Sequence, residues 1–227
     1  MKTPLFADVQ AYCTGYNGEC NVLKSVFHWL FLNGEYVIMP TTQPIRDKKH
    51  VRALSEYYFK RGELRNYLLI VMAVHTALRI SDLLRVEWSD VYDFSRNRLR
   101  ESISVIEAKT QKSKVVKLNN AILTALKHCV PSARQGDYLF KSRKGGAIGR
   151  IQAYRIIRAA AEALNFSSSV SCHSLRKTFG YHAWKSGASP AVLMDIFNHS
   201  NYAVTRRYLG VSQDDKDEVY CKLANVF

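Results

Sequence analysis

The chain has 227 residues, 47% of them apolar, and carries 33 Lys and Arg against 19 Asp and Glu for a formal charge of +14. That suits one sizeable domain with a small appendage, or two modest ones, with enough apolar mass for a real core. The charge points to a polyanionic partner, because each phosphate neutralised releases counterions; the alternative is a basic protein that is merely soluble. The longest apolar stretch, Tyr67 to Leu78, includes His75 and falls short of the roughly 20 residues a bilayer requires, which argues against a membrane span. The first residues, MKTPLFADVQAYC, lack the basic start, apolar centre and cleavage site of a secretory signal, so cytoplasm is the expected compartment. Cysteines 13, 20, 129, 172 and 221 are scattered without a CxxC, suggesting neither a disulfide framework nor a zinc site, and read as reduced buried thiols.

In chain order, residues 1–38 are rich in Gly, Tyr, Asn and Cys, and VLKSVFHWLFL within them is expected to form a short helix. MPTTQPIRD (39–47) holds two helix-disfavouring prolines, and the composition turns basic after it. Residues 1–39 carry two lysines against three acidic groups, so the excess positive charge lies wholly beyond them. The expected division is therefore a short accessory segment, 1–42, and a functional domain, 43–227. Met39 opens the basic part and is a candidate start of the functional polypeptide. DKKHVRALSEYYFKRG reads as a helix stopped by Gly62, and LRNYLLIVMAVHTALRISDLLRV as a long, largely buried helix pair. RLRESISVIEA (98–108) and SKVVKL (113–118) alternate and are β-branched, with KTQK as a hairpin turn. Asn119 or Asn120 can cap a helix to about Val130. DYLFKSRKGGAIG is a loop. Helices follow from Arg150 to about Leu164, from His173 to about Lys185, and from the Ser189-Pro190 start; QDDKDEVYCKLANV forms a last amphipathic helix. The expected fold class is α+β, mainly α, with one small antiparallel sheet.

Several residues stand out chemically. His173 and Arg176, in CHSLRKTF, lie three apart on a helix and can converge on one anion, although a solvated helix face also presents this spacing. Arg79, in TALRISDLLRVEW, closes an apolar run, where a guanidinium costs several kcal/mol unless an anion or carboxylate meets it. Asp82 is the expected partner. Lys109 occupies the hairpin turn in EAKTQKSKVV, where a solvated lysine is the ordinary meaning. His199 follows PAVLMDIF as NHS, and Tyr208 comes nine residues later in VTRRYLG, where core packing is the alternative.

Taken together and in this order, these residues resemble the catalytic domain of the tyrosine recombinases, the phage-type integrases. The family's first arginine matches Arg79 in TALRISDLL, its hairpin lysine Lys109 in AKTQKSK, and its HxxR motif His173 and Arg176. Its second histidine matches His199 in FNHS and its nucleophile Tyr208 in TRRYL, so the resemblance spans about residues 43 to 211. It implies an integrase-like fold and a site-specific DNA recombinase of a phage or mobile element, acting on double-stranded DNA as a homo-tetramer and existing as a monomer or weak oligomer without it. Arg79 and Arg176 would grip the phosphate, and arginine suits this because its planar fork stays charged and holds two oxygens. Tyr208 would attack, leaving a 3′-phosphotyrosyl link and a free 5′-hydroxyl. His173 would act as base, His199 as a hydrogen-bond donor to the phosphoryl oxygen, and Lys109 as the acid that protonates the departing 5′-oxygen.

Such an exchange of phosphoesters calls for no nucleotide fuel, cofactor or metal. KSRKGG (141–146) lacks the spacing of a P-loop, and no acidic cluster offers to hold magnesium. Lys141, Arg143 and Lys144, with Lys112 and Lys114 on the hairpin, read as DNA-backbone contacts, a solvated loop being the alternative for the first three. Residues 1–42 are too few and not basic enough for the separate helical clamp domain that most integrases carry. The last helix either passes to a neighbouring subunit or folds back on its own domain. A type IB topoisomerase-like enzyme and a non-enzymatic DNA-binding relative are the competing readings.

Overall fold

In the computed structural model the described residues are 29–32, 35–38, 42–166, 170–211 and 213–223. The chain divides into two compact units, residues 1–41 and 42–227. Within the first, β1 (Trp29–Leu32) pairs antiparallel with β2 (Glu35–Ile38), Leu32 opposite Glu35. The short helix expected over VLKSVFHWLFL is thus corrected at its C-terminal end, while residues 22–28 lie outside the described residues. The physical reason is in the sequence: Asn33-Gly34 between two aromatic and apolar runs is the strongest short-range hairpin signal.

The second unit is mainly helical. α1 (Lys48–Lys60) begins at Asp47, whose carboxylate accepts from the Lys49 N–H, and Gly62 follows its end at a φ of +71°. α2 (Leu64–His75) is the central helix, with every side chain from Leu68 to Val74 buried. It packs against α1, α5 (Asn120–Cys129) and α7 (Cys172–Lys185). The expected helix pair divides after His75, and its second member is shorter than expected. Residues 76–79 leave the helix, Ala77 adopts a φ of +54°, and the chain restarts as the one-turn α3 (Ile80–Leu83) and, after a turn, α4 (Trp88–Val91).

The expected first strand also divides. β3 (Tyr92–Asp93) pairs with β4 (Arg98–Leu99), and β5 (Ser102–Ile106) pairs with β6 (Ser113–Lys117), Val105 opposite Lys114. Between the pairs, the Arg100 N–H turns to the Val91 carbonyl and ends the run. Asn119 caps α5 through the Ile122 N–H. α6 (Arg150–Ala163) follows the loop containing residues 141–146, and α7 opens with a capping box of Ser171 and Ser174. α8 (Pro190–Phe197) starts from Ser189 with proline in its first turn and ends at Asn198 in the left-handed region. α9 (Tyr202–Leu209) and α10 (Gln213–Leu223) complete the unit. Lys185 of α7 pairs with Asp215 and Glu218 of α10, each at 2.7 Å, so the last helix folds back on its own domain.

Two apolar clusters result. The larger one surrounds α2 and reaches α6 and the hairpin through Ile103 and Val116. The smaller gathers Ala77, Leu193, Phe197 and Leu209, with Tyr208 packed against it. Gly180 lets α7 approach the smaller cluster closely: a Cβ there would stand 2.8 Å from the Phe197 ring. Among the described residues no helix is long and apolar enough to cross a membrane.

Candidate active site

The break after α2 and the start of α7 meet α8 and α9, and there the chemistry-bearing side chains converge. Arg176 is 2% exposed. Its Nη1 donates to the Ala77 carbonyl and its Nη2 to the Phe197 carbonyl at 2.8 Å, so it ties the broken end of α2 to the end of α8. The left-handed Ala77 aims that carbonyl, a conformation costing about 1 kcal/mol or more for a residue with a Cβ. The guanidinium also lies 5.0 Å from the Phe197 ring centre and 5.9 Å from that of Tyr208. Burial, then the neighbouring Arg79, pull its pKa down to about 10.

The Tyr208 hydroxyl is 2.5 Å from His173 Nε2, with the two rings edge to face. Burial raises the phenol above its ordinary value, and Arg176 and Arg79 oppose that rise. Burial lowers His173 to about 4, aided by Lys177, Arg176 and Arg79. His199 sits edge to face with Tyr208 at 4.6 Å, and its Nδ1 is held by the Thr205 hydroxyl at 3.0 Å. It too is lowered to about 4, first by burial and then by Arg176 and Arg79. Both imidazoles are therefore neutral at pH 7, and in its Nδ1-protonated form His173 accepts the tyrosyl proton's hydrogen bond at Nε2.

Arg79 caps α3 from an extended conformation, and its partner is not the expected Asp82. Its Nη1 lies 2.5 Å from Oε2 of Glu107, a carboxylate with no exposed surface at the end of β5. Asp82 is occupied otherwise: its Oδ1 accepts from the Ala108 N–H at 3.0 Å and meets Arg85 at 3.4 Å. Glu107 Oε2 also accepts from Asn198 at 2.9 Å and from the Thr110 hydroxyl at 2.9 Å. One carboxylate thus links Arg79, the hairpin turn and the residue preceding His199. Sequence reasoning missed it, because an acidic residue ending a strand carries no periodic or motif signal.

Arg79, His173, Arg176, His199 and Tyr208 therefore come together, whereas Lys109 is exposed on the turn. Its neighbours Ala108 and Thr110 are tethered to Asp82 and Glu107, which fixes the backbone of the turn beside the cluster. The hairpin lysine that enters the cluster is Lys114. Its Nζ is buried with no hydrogen-bond partner, and burial followed by Arg176 lowers it to about 8. Lys112, Arg143 and Lys144 are exposed, and Lys141 is engaged by both oxygens of Asp137, at 2.7 and 2.8 Å.

The Phage integrase family model matches residues 46–214. The probable integrase/recombinase YoeC of Bacillus subtilis is 33% identical over 183 residues, which are 80% of this chain and 97% of that protein. The type 1 fimbriae regulatory protein FimE of Escherichia coli K12 is 31% identical over 63% of this chain and 73% of its own length. Among solved structures, XerA recombinase is similar with a TM-score of 0.67 at 22% identity, over 81% of this chain and 66% of that one. XerH bound to its palindromic difH substrate in a post-cleavage complex gives 0.66 at 19% identity, over 81% and 54%. At these identities the structures establish the shared fold, and the chain spans between half and two thirds of their length. The chain belongs to the phage integrase family: it is a tyrosine recombinase, a DNA strand transferase.

Proposed function

We propose that residues 43–227 cleave and rejoin double-stranded DNA at specific sites through a covalent 3′-phosphotyrosyl intermediate held on Tyr208. The observation that carries the reading is the hydroxyl of Tyr208 set 2.5 Å from a neutral His173, against Arg176 and within the field of Arg79.

In the cleavage step Tyr208 Oη bonds to phosphorus as the bond from phosphorus to the 5′-oxygen breaks. The tyrosyl proton passes to His173 Nε2, and the 5′-oxygen takes a proton from Lys109, whose exposed side chain extends from the fixed turn to the bound DNA. Arg79 and Arg176 stabilise the charge that builds on the non-bridging oxygens, a contribution of roughly 3–4 kcal/mol for one such donor. His199, oriented through Nδ1 by Thr205, presents Nε2 to a phosphoryl oxygen. A phenol raised by burial above its ordinary value transfers its proton unfavourably to an imidazole near 4. A bound phosphate corrects this, because its negative charge raises the imidazole pKa while the arginines hold the phenolate. Attack of a different 5′-hydroxyl on the phosphotyrosine then rejoins strands without added energy. Exposed Lys112, Arg143 and Lys144 contact the DNA backbone, residues 1–42 are accessory, and four copies assemble on two duplexes in the cytoplasm.

A nicked suicide duplex tests this. The wild-type chain should form a covalent adduct that survives denaturant, and Tyr208→Phe should form none. Adduct from the Phe variant would overturn the assignment.

A further inference from the structure

The charges at the centre of the cluster fix what it can hold. Four of its members, Arg79, Arg176, Glu107 and Asp82, cancel one another, and the two imidazoles are neutral. The remaining positive charge comes from two lysines, Lys114 and the buried Lys177, whose Nζ lies 5.7 Å from the Tyr208 ring centre. Lys177 donates to the Thr42 carbonyl, whereas Lys114 Nζ has no hydrogen-bond partner. Strand alternation explains how it gets there. Val116 and Leu118 on the same face are buried in the core, so the side chain two residues earlier points inward, whereas Ser113 and Val115 are exposed. Two buried donors of the cluster have no hydrogen-bond partner, Lys114 Nζ and Arg176 Nε, while Arg79 Nη1 is held by Glu107. A buried ammonium with no hydrogen bond is costly, and an anion that meets both donors removes that cost.

We propose that Lys114 is a direct ligand of the scissile phosphate, the third cationic donor of the pocket rather than a contact to the DNA backbone outside it. The proposal rests on the recombinase reading and adds to it a division of labour: Lys114 holds the non-bridging oxygens, and Lys109 protonates the leaving 5′-oxygen. The depressed pKa of Lys114 fits this role, since an anion beside it restores the charged form.

Three measurements on the full chain test it. The first is the rise in melting temperature caused by inorganic phosphate, which needs neither DNA nor Tyr208. Lys114→Met should lose most of that rise, Lys109→Ala should keep it, and Lys114→Arg should keep part of it. Without phosphate, Lys114→Met should melt no lower than wild type, because it removes a buried charge. The second is single-turnover adduct formation on the nicked duplex at saturating protein. Lys114→Met should be slowed by about 10²-fold or more, with duplex affinity within about threefold of wild type. The third repeats this on a duplex whose 5′-bridging oxygen is replaced by sulfur, a leaving group needing no proton. Lys109→Ala should recover there and Lys114→Met should not. An undiminished phosphate effect in Lys114→Met, recovery of that variant on the sulfur substrate, or a loss of duplex affinity as large as its loss of rate would each overturn the proposal. If wild type forms no adduct, the recombinase reading fails, and the phosphate measurement still decides for or against Lys114.

Discussion

The resting site holds its proton on the phenol. Two imidazoles near pKa 4 and a tyrosine raised by burial make spontaneous formation of the nucleophile rare until an anion arrives, which ties reactivity to occupancy. Arg176 does double duty, spending two nitrogens on the Ala77 and Phe197 carbonyls while its Nε remains for the substrate. A lysine cannot bridge two carbonyls and a phosphate at once. Arg176→Lys should therefore slow adduct formation by about 10²–10³-fold in single-turnover assays, and a loss under about tenfold would contradict this account of its geometry. At this scale the sequence was informative where a helix fixes the spacing, as for His173 and Arg176, and where the family motif fixes the order. It was uninformative where the answer depends on which way a strand faces. Lys109, Lys112 and Lys114 are equivalent as letters, and the inward turn of Lys114 follows from its register against Val105. The partner of Arg79 was misread for a related reason: Asp82 is near in sequence, but Glu107 is brought close by the return of a different element.

At the scale of elements, the site depends on how α8 is seated. Asn198, in the left-handed conformation, ends α8 and directs its side chain to Glu107, and His199 follows directly. Phe197 packs on Gly180 of α7, so the distance between α7 and α8 is set by the absence of a Cβ. Gly180→Ala forces the ring or the helix to move, and overpacking of this kind costs about 1–3 kcal/mol. For a chain this size that corresponds to a fall in melting temperature of roughly 2–4 °C per kcal/mol, and adduct formation should fall with it because the Phe197 carbonyl is a ligand of Arg176. A variant as stable and as active as wild type would refute the packing argument. The long helices were readable from periodicity and caps, among them Asn119 and Ser189. The one-turn α3 and α4 and the divided strand were not, since each is shorter than the window over which a period can be recognised. The hairpin Trp29–Leu32 with Glu35–Ile38 was misread because its apolar run outweighed the Asn33-Gly34 signal.

For the whole molecule, charge governs encounter and the pocket governs chemistry. The chain carries +14, while the cations of the buried cluster are offset in part by Glu107 and Asp82, so most of the excess lies outside the pocket. Exposed Lys112, Arg143 and Lys144 belong to that larger share. Affinity for a duplex should therefore fall steeply with salt. Six to ten phosphate contacts would weaken binding by about 10³–10⁵-fold between 50 and 200 mM, as fluorescence anisotropy can measure. A nearly flat dependence would mean that the positive surface does not track the DNA backbone. The single-turnover rate at saturating protein should be far less sensitive, because the pocket donors are largely shielded from solvent ions.

The most direct measurement is the chemical identity of the covalent bond. Adduct formed on the nicked duplex is digested with protease, and the peptide attached to DNA is sequenced by mass spectrometry while the DNA ends are mapped. The account predicts a peptide joined through Tyr208 to a 3′-phosphate, with a free 5′-hydroxyl on the released strand. Attachment through any other side chain, or to a 5′-phosphate, would contradict it.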